Sequence, residues 1–394
     1  MRTRGPAGSG PTVSDTEAVP VVLDGEETDF PAPEVAFAPR RIREPQWDYV
    51  RFVATAAVVL IHVIAFAFGA NAGHVPRYLL PHYADLTALS KALRWSVPCF
   101  ALLTGVLVWG RRWAGGPGAY RDFLARRAKV VALPYLFWVV VYYLLRPSLQ
   151  NQPWPSGGPV AVLLDFVAKA VDGTVWFHLY FVPVVLVLYL ATPLASRAAR
   201  RSPEALALGL LAFSVVWSVF LSRAVLPGTP WGNLLNNAIN YAPYAALGAL
   251  VAVRGETARR ILTWTWPLLI AFGIWGLWRR GAHDLIYSGS FLRVALGTLV
   301  MVCAVLGVLG LCWLVSGRWN RADRAMESLY PASFGVYLVH PLVIAAIGAA
   351  ALAVVPAKEL LFTRDLVLLW VATMALSWAA TWLLLKNRMT RWLV

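Results

Sequence analysis

Charge is scarce in this sequence: Asp, Glu, Lys and Arg make up 14% of its 394 residues, against about 25% in a typical soluble domain. So few charges cannot cover a water-facing surface, which excludes a soluble two-domain protein, and with 59% hydrophobic residues the chain is not a disordered one. Cysteine is scarcer still. Cys99, Cys303 and Cys312 lie in apolar runs with no paired spacing, so no disulfide framework is implied and packing is their expected role. Also missing are a phosphate-cradling Gly-rich loop, a dinucleotide fingerprint, a paired-carboxylate glycosidase pattern and any His/Cys metal spacing, and no metal is expected. The N-terminus shows no short apolar stretch followed by a small-residue cleavage site, so the first span is expected to direct insertion itself.

What is abundant is apolar surface. Mean hydropathy is +0.61, and the 19 tryptophans fit rings that concentrate at membrane interfaces. The formal net charge of +15 would suggest nucleic acid in a soluble protein. Here the basic residues sit in short clusters between apolar runs, so they read as topology determinants beside a lipid bilayer, with no nucleic-acid partner.

Residues 1–39 are rich in Pro, Gly, Ser and Thr and carry seven acids against two arginines, a composition expected of a disordered acidic cytoplasmic tail. Residues 40–394 are expected to form one integral membrane domain. A spanning helix needs about 20 mostly apolar residues, and the candidates are 48–69, 86–109, 129–146, 175–195, 204–222, 236–253, 261–279, 291–315, 330–354 and 365–386. The expected fold is therefore all-α, a polytopic membrane protein with about ten transmembrane helices. The second candidate carries Lys91 and Arg94 in its first half, which weakens its claim to span. The run 158–171 is too short and charged to cross, and is expected to lie along the interface as an amphipathic helix.

Basic clusters test this count, because a wrong number of spans would scramble their alternation. Arg40/Arg41/Arg43, the group from Arg111 to Lys129, Arg197/Arg200/Arg201, Arg254/Arg259/Arg260, Arg318/Arg321/Arg324 and Lys386/Arg388/Arg391 all fall on one side, with Arg279/Arg280 the discordant pair. Both termini are thus expected to be cytoplasmic, in a multi-pass protein of the cell membrane.

Ionisable groups inside a span are expensive and by default mark a site. In the first span Asp48 and Arg51 lie one turn apart, and His62 follows Arg51 by eleven residues, nearly three whole turns, so all three share a face. At 1.5 Å per residue His62 lies about 16 Å beyond Arg51, near the middle of a hydrocarbon core about 30 Å thick. His340 enters from the same side to a similar depth. An imidazole there can take a proton from a hydroxyl nucleophile and pass it on; equally, an intramembrane His can serve as a helix-to-helix hydrogen-bonding group, and Pro341 after His340 frees a carbonyl that needs a donor. His178, beside Trp176 near the outer end of the fourth candidate, is expected to be an interfacial anchor. The cluster Arg111, Arg112, Arg121, Arg126, Arg127 and Lys129 reads either as topology with anionic headgroups or as a cytoplasmic phosphate site. Asn236, Asn237 and Asn240 either line a polar cleft or cap a helix.

The first-span pattern Asp48, Arg51, Ala54, Val58, Val59, His62 resembles the signature of the acyltransferase-3 family of membrane O-acyltransferases, whose Arg-x10-His element Arg51 and His62 meet. VPCFALLTGVLV (97–108), WFHLYFVPVVLVLYLATPL (176–194) and SFGVYLVHPLV (333–343) are similar to later segments of that family, in the same order. Two departures stand out. The family's Arg-x-x-Arg third-span start appears as Arg126-Arg127-Ala128-Lys129, and its Ser-Gly pair as Thr104-Gly105. The resemblance implies transfer of an acyl group, commonly acetyl, from cytoplasmic acyl-CoA to a hydroxyl of a saccharide or other small-molecule acceptor. His62 would then be the general base, with His340 sharing the proton or positioning the acceptor. Asp48 and Arg51 would order the helix end, and Arg126, Arg127 and Lys129 would hold the CoA phosphates. The alternative is a multi-span transporter or flippase of a lipid-linked or hydrophobic molecule, with the intramembrane His as proton relay.

Overall fold

The computed structural model describes residues 44–71, 80–111, 116–222, 224–283 and 291–394. The acidic segment 1–39 and the Arg40/Arg41/Arg43 cluster lie outside the described residues. Without water in the hydrocarbon region, backbone amides must bond within the chain, and long apolar segments do so as helices. Eleven helical segments follow in order: α1 Gln46–Ala70, α2 Tyr83–Trp109, α3 Gly118–Gln150, α4 Gly158–Asp172, α5 Phe181–Leu190, α6 Thr192–Arg201, α7 Pro203–Leu221, α8 Pro230–His283, α9 Phe291–Val315, α10 Asn320–Leu352 and α11 Thr363–Lys386. No strand occurs among the described residues.

Eight of these helices are long and apolar enough to cross a membrane, and α5 with α6, bent by 65° at Ala191, makes a ninth candidate. Helix α8 is 54 residues long, about 80 Å at 1.5 Å per residue and far more than one crossing needs. It breaks at Gly255, where φ is 45° and ψ −111°, a conformation that glycine adopts without steric cost. Each arm is long enough to span, so the architecture accommodates the ten crossings expected from hydropathy. The second candidate does form a helix long and apolar enough to cross despite Lys91 and Arg94, and 72% of its most apolar stretch is buried inside the protein.

Helix α1 packs against α2, α9, α10 and α11, which makes it the natural carrier of internal polar groups. Tight approach of backbones elsewhere depends on small residues. A Cβ built on Gly105 of α2 would overlap the Ala245 carbonyl oxygen of α8, and one on Gly248 of α8 would overlap the Leu102 carbonyl oxygen of α2. The two helices therefore cross backbone to backbone. Just past this crossing, Gly105–Trp109 winds as a π-helical turn, as does Ala128–Ala132 in α3.

The interfacial helix expected over 158–171 is α4. Val160, Leu163, Leu164 and Val167, spaced on one helical face, are 48–69% exposed, an apolar stripe turned away from the protein. The other face is fastened by Asp165, which accepts hydrogen bonds from Tyr143 Oη and Arg146 Nη1, each at 2.9 Å, and lies 3.6 Å from Lys169 Nζ. Desolvation works against ionisation, yet the hydrogen bonds from Tyr143 and Arg146 hold the Asp165 carboxyl below the usual carboxylate range.

The crossing at Gly105 makes a direct stability prediction. Gly105→Ala should lower the thermal unfolding midpoint of the detergent-purified protein, at a cost of about 1–3 kcal/mol for overpacking. Gly209→Ala is the control, because nothing lies within 4 Å of a Cβ there, and it should leave the midpoint unchanged or higher. Equal effects of the two substitutions would contradict the close crossing.

Candidate active site

Helix α1 carries one polar group at its start and another near its middle. At the start, Arg51 Nη1 donates to Asp48 Oδ1 at 2.8 Å, with Asp48 only 4% exposed, and the guanidinium lies 5.3 Å from the Tyr330 ring centroid. Pairing is what lets both charges sit among apolar helices. Near the middle, the His62 ring lies between the His340 ring at 5.3 Å, nearly parallel, and the Phe177 ring at 4.4 Å. The two imidazoles expected at one depth are therefore in contact.

His340 is fully buried. Its Nδ1 is 3.0 Å from the Val336 carbonyl oxygen, one turn earlier in α10. A carbonyl only accepts, so the pairing assigns the hydrogen to Nδ1 and leaves Nε2 of the neutral ring with its lone pair. Among the described residues Nε2 has no hydrogen-bond partner.

A third imidazole joins them, and here the sequence expectation is corrected. His178 is no interfacial anchor: it is 2% exposed, and its ring centroid is 5.2 Å from that of His340. The reason lies in the backbone. Residues 173–180 form turns rather than a helix, beginning at Gly173 with φ 73°, so the segment folds inward before α5 begins. Tyr337 Oη of α10 donates to the His178 carbonyl and pins it there.

Two cavities share residues beside this cluster, and one of them reaches it. One, of about 450 Å³, is lined by Arg51 and Arg127 together with Thr104, Tyr189, Tyr330 and Ser333; it is called here the arginine cavity. The other, of about 490 Å³, is lined by His62, His178, Arg94, Asn237, Asn240 and Tyr241, and is the histidine cavity. Phe181 and Tyr337 line both and so form a shared aromatic wall. A wider recess of about 810 Å³, lined by Gln150, Gln152, Asn233, Asn236, Asn237 and Trp176, shares Tyr180 and Asn237 with the histidine cavity. The asparagines thus line a polar cleft rather than merely capping α8. Asn240 Oδ1 accepts from Ser218 Oγ at 2.9 Å and Asn236 Oδ1 from Trp217 Nε1 at 3.1 Å.

The basic group of α3 divides. Arg127 lines the arginine cavity, its guanidinium 5.4 Å from the Phe123 ring and 5.2 Å from the Tyr189 ring. Arg126 and Lys129 are exposed and line neither cavity. His340 faces neither cavity and sits behind His62 and His178. Sequence reasoning missed Arg94 as a wall residue of the histidine cavity; a charge inside an apolar span was the signal. It had none for the inward fold of His178. No group of three or more His, Cys, Asp or Glu suited to a metal ion occurs among the described residues.

Comparison with known proteins adds three findings. A family model described as an acyltransferase domain matches residues 44–385. Over 147 residues the chain is 31% identical to the succinoglycan biosynthesis protein ExoH of Rhizobium meliloti (strain 1021), a match covering 34% of this chain and 39% of that protein. The chain thus spans well under two thirds of that relative's length. No solved structure matches.

Tyr337→Phe would leave the buried His178 carbonyl without its donor, which costs about 1–3 kcal/mol. The expected outcome is a lower unfolding midpoint together with faster hydrogen exchange at the amides of 173–180. Unchanged exchange there would show that another contact holds the segment.

Proposed function

The chain belongs to the acyltransferase-3 family, and from that premise we propose that this multi-pass membrane O-acyltransferase uses His62 as the general base that activates an acceptor hydroxyl toward an acyl-CoA thioester. The carrying observation is the arrangement of two cavities on either side of one aromatic wall, one lined by Arg51 and Arg127, the other by imidazoles, amides and Arg94. In this reading the arginine cavity opens to the cytoplasm, in keeping with the one-sided basic clusters, and both termini lie there, in the cell membrane. Arg127 and Arg51 receive the phosphates and thioester arm of the donor, commonly acetyl-CoA. Arg126 and Lys129, outside the cavity, add to the positive field that draws an anionic donor to the mouth.

The acceptor, a saccharide or other hydroxyl-bearing small molecule, enters from the amide-lined recess into the histidine cavity. Asparagine and glutamine amides and tryptophan faces suit polyols, because they pair with hydroxyls and stack on sugar rings. His62 takes the hydroxyl proton as the oxygen attacks the thioester carbonyl carbon. The carbon–sulfur bond breaks, the leaving thiolate takes a proton, and the products are the O-acyl ester and CoA. His340, stacked on His62 with Nε2 unprotonated, can share the proton and fix the ring plane. The Asp48–Arg51 pair holds the entrance end of α1 in register, so that the base stays at its depth.

The transporter alternative predicts gradient-driven flux without consumption of acyl-CoA, and labelled acetyl-CoA given to the purified protein separates the two. Under this reading, label moves to an added hydroxyl acceptor. His62→Ala should cut the transfer rate by about 10²–10⁴, the usual contribution of a positioned base, while donor binding persists. Arg127→Ala should weaken donor binding about tenfold, the loss of one charge-assisted contact. Wild-type transfer by a folded His62→Ala protein would remove the base assignment, and undiminished binding by Arg127→Ala would remove that of the donor site.

A further inference from the structure

Arg94 is a charged group without a counter-charge. It stands in the single 3₁₀ turn Leu93–Trp95 that interrupts α2, eleven residues from the Tyr83 end and fifteen from the Trp109 end, close to mid-span. Helices α1, α8 and α9 pack around that turn. Its side chain lines the histidine cavity with His62, Asn237 and Asn240, and it makes no hydrogen bond or ion pair among the described residues. Two other internal arginines are paired, Arg51 with Asp48 and Arg146 with Asp165.

Neither the histidine cavity nor the recess beyond it has an Asp or Glu among its lining residues. Asp172, beside Gly173 of the recess, is committed elsewhere: Oδ1 accepts from Thr174 and Oδ2 from Asn233. The Arg94 side chain is exposed within the open cavity, where a guanidinium with no acid beside it attracts anions. An occupant that shuts water away from this guanidinium leaves it without compensation unless the occupant brings a negative group itself, because the lining supplies no acid. A planar fork of donors suits a carboxylate or phosphate, which it can grip with two parallel hydrogen bonds.

We infer that the histidine cavity recognises an acceptor bearing a negative group, a carboxylate or phosphate, held by Arg94 while a hydroxyl of the same molecule faces His62. The inference rests on the acyl-transfer reading of this cavity and adds the acceptor's charge class to it. Asn237, which faces both the cavity and the recess and makes no hydrogen bond among the described residues, supplies a neutral donor and acceptor for the rest of such a molecule. Arg94 is accordingly a specificity residue, while proton removal stays with His62.

The test is equilibrium binding of glucuronic acid, glucose 6-phosphate and glucose to the detergent-purified full chain, before any turnover. Wild type should bind one or both anionic probes about tenfold or more tighter than glucose, and the margin should shrink as salt is raised. Arg94→Gln should erase the margin, Arg94→Lys should keep part of it, and donor binding should be unchanged in both, which also certifies their fold. Equal binding of the three probes by wild type, no binding of any of them, or a preference that survives Arg94→Gln would overturn the inference. So would an Arg94-dependent preference for a dicarboxylic acyl-CoA over acetyl-CoA with neutral glucose, which would put the anion on the donor. Anion-selective binding without acyl transfer would count against the enzymatic reading and not against Arg94; transfer with no charge preference would do the reverse.

Discussion

Two imidazoles from opposite ends of the chain, ring to ring at 5.3 Å, set the requirement that the rest of the bundle meets. In hydrocarbon a polar side chain has only protein to bond with, so His62 and His340 require that α1 and α10 be enclosed by other helices. They are: α1 is surrounded by α2, α9, α10 and α11, and His178 closes the cluster from the turns before α5. The glycine crossing of α2 and α8 serves the same end. By bringing backbones into contact it holds in place the two helices whose Arg94 and Asn240 line the cavity beside His62.

Much of this was legible in the sequence because its signals are periodic. Apolar run length marks the long apolar helices, and the break at Gly255 divides the longest of them into two arms. Rise per residue puts His62 and His340 at one depth, and the three-residue step from Asp48 to Arg51 gives the ion pair. Periodicity gives depth and relative phase within one helix, but not which way that helix is rotated in the bundle. Arg126 and Arg127 are adjacent, so about 100° of helix separates their side chains, and one meets the cavity while the other does not. Nothing local marks the choice.

His178 was illegible for a different reason. The surrounding Trp, Phe and Tyr are as common at an interface as in a core, and only the non-helical path of 173–180, fixed by Gly173 and the Tyr337 hydroxyl, decides between the two. Arg94 was visible but misweighted. A charge in an apolar run reads first as an argument against the span, and becomes an argument for a site once the span is seen to be buried by its neighbours.

The aromatic wall separates two cavities of different lining. On the proposed reading, an acyl donor with phosphates and an acceptor with many hydroxyls make different demands: the donor's phosphates call for guanidinium, the acceptor's hydroxyls for amide and imidazole. On that reading, two cavities that share only Phe181 and Tyr337 keep the groups that anchor each substrate on its own side. Tyr337 then has a double duty. Its ring is part of the wall and its hydroxyl holds the His178 backbone, so the shared wall and the placement of the third imidazole depend on one side chain.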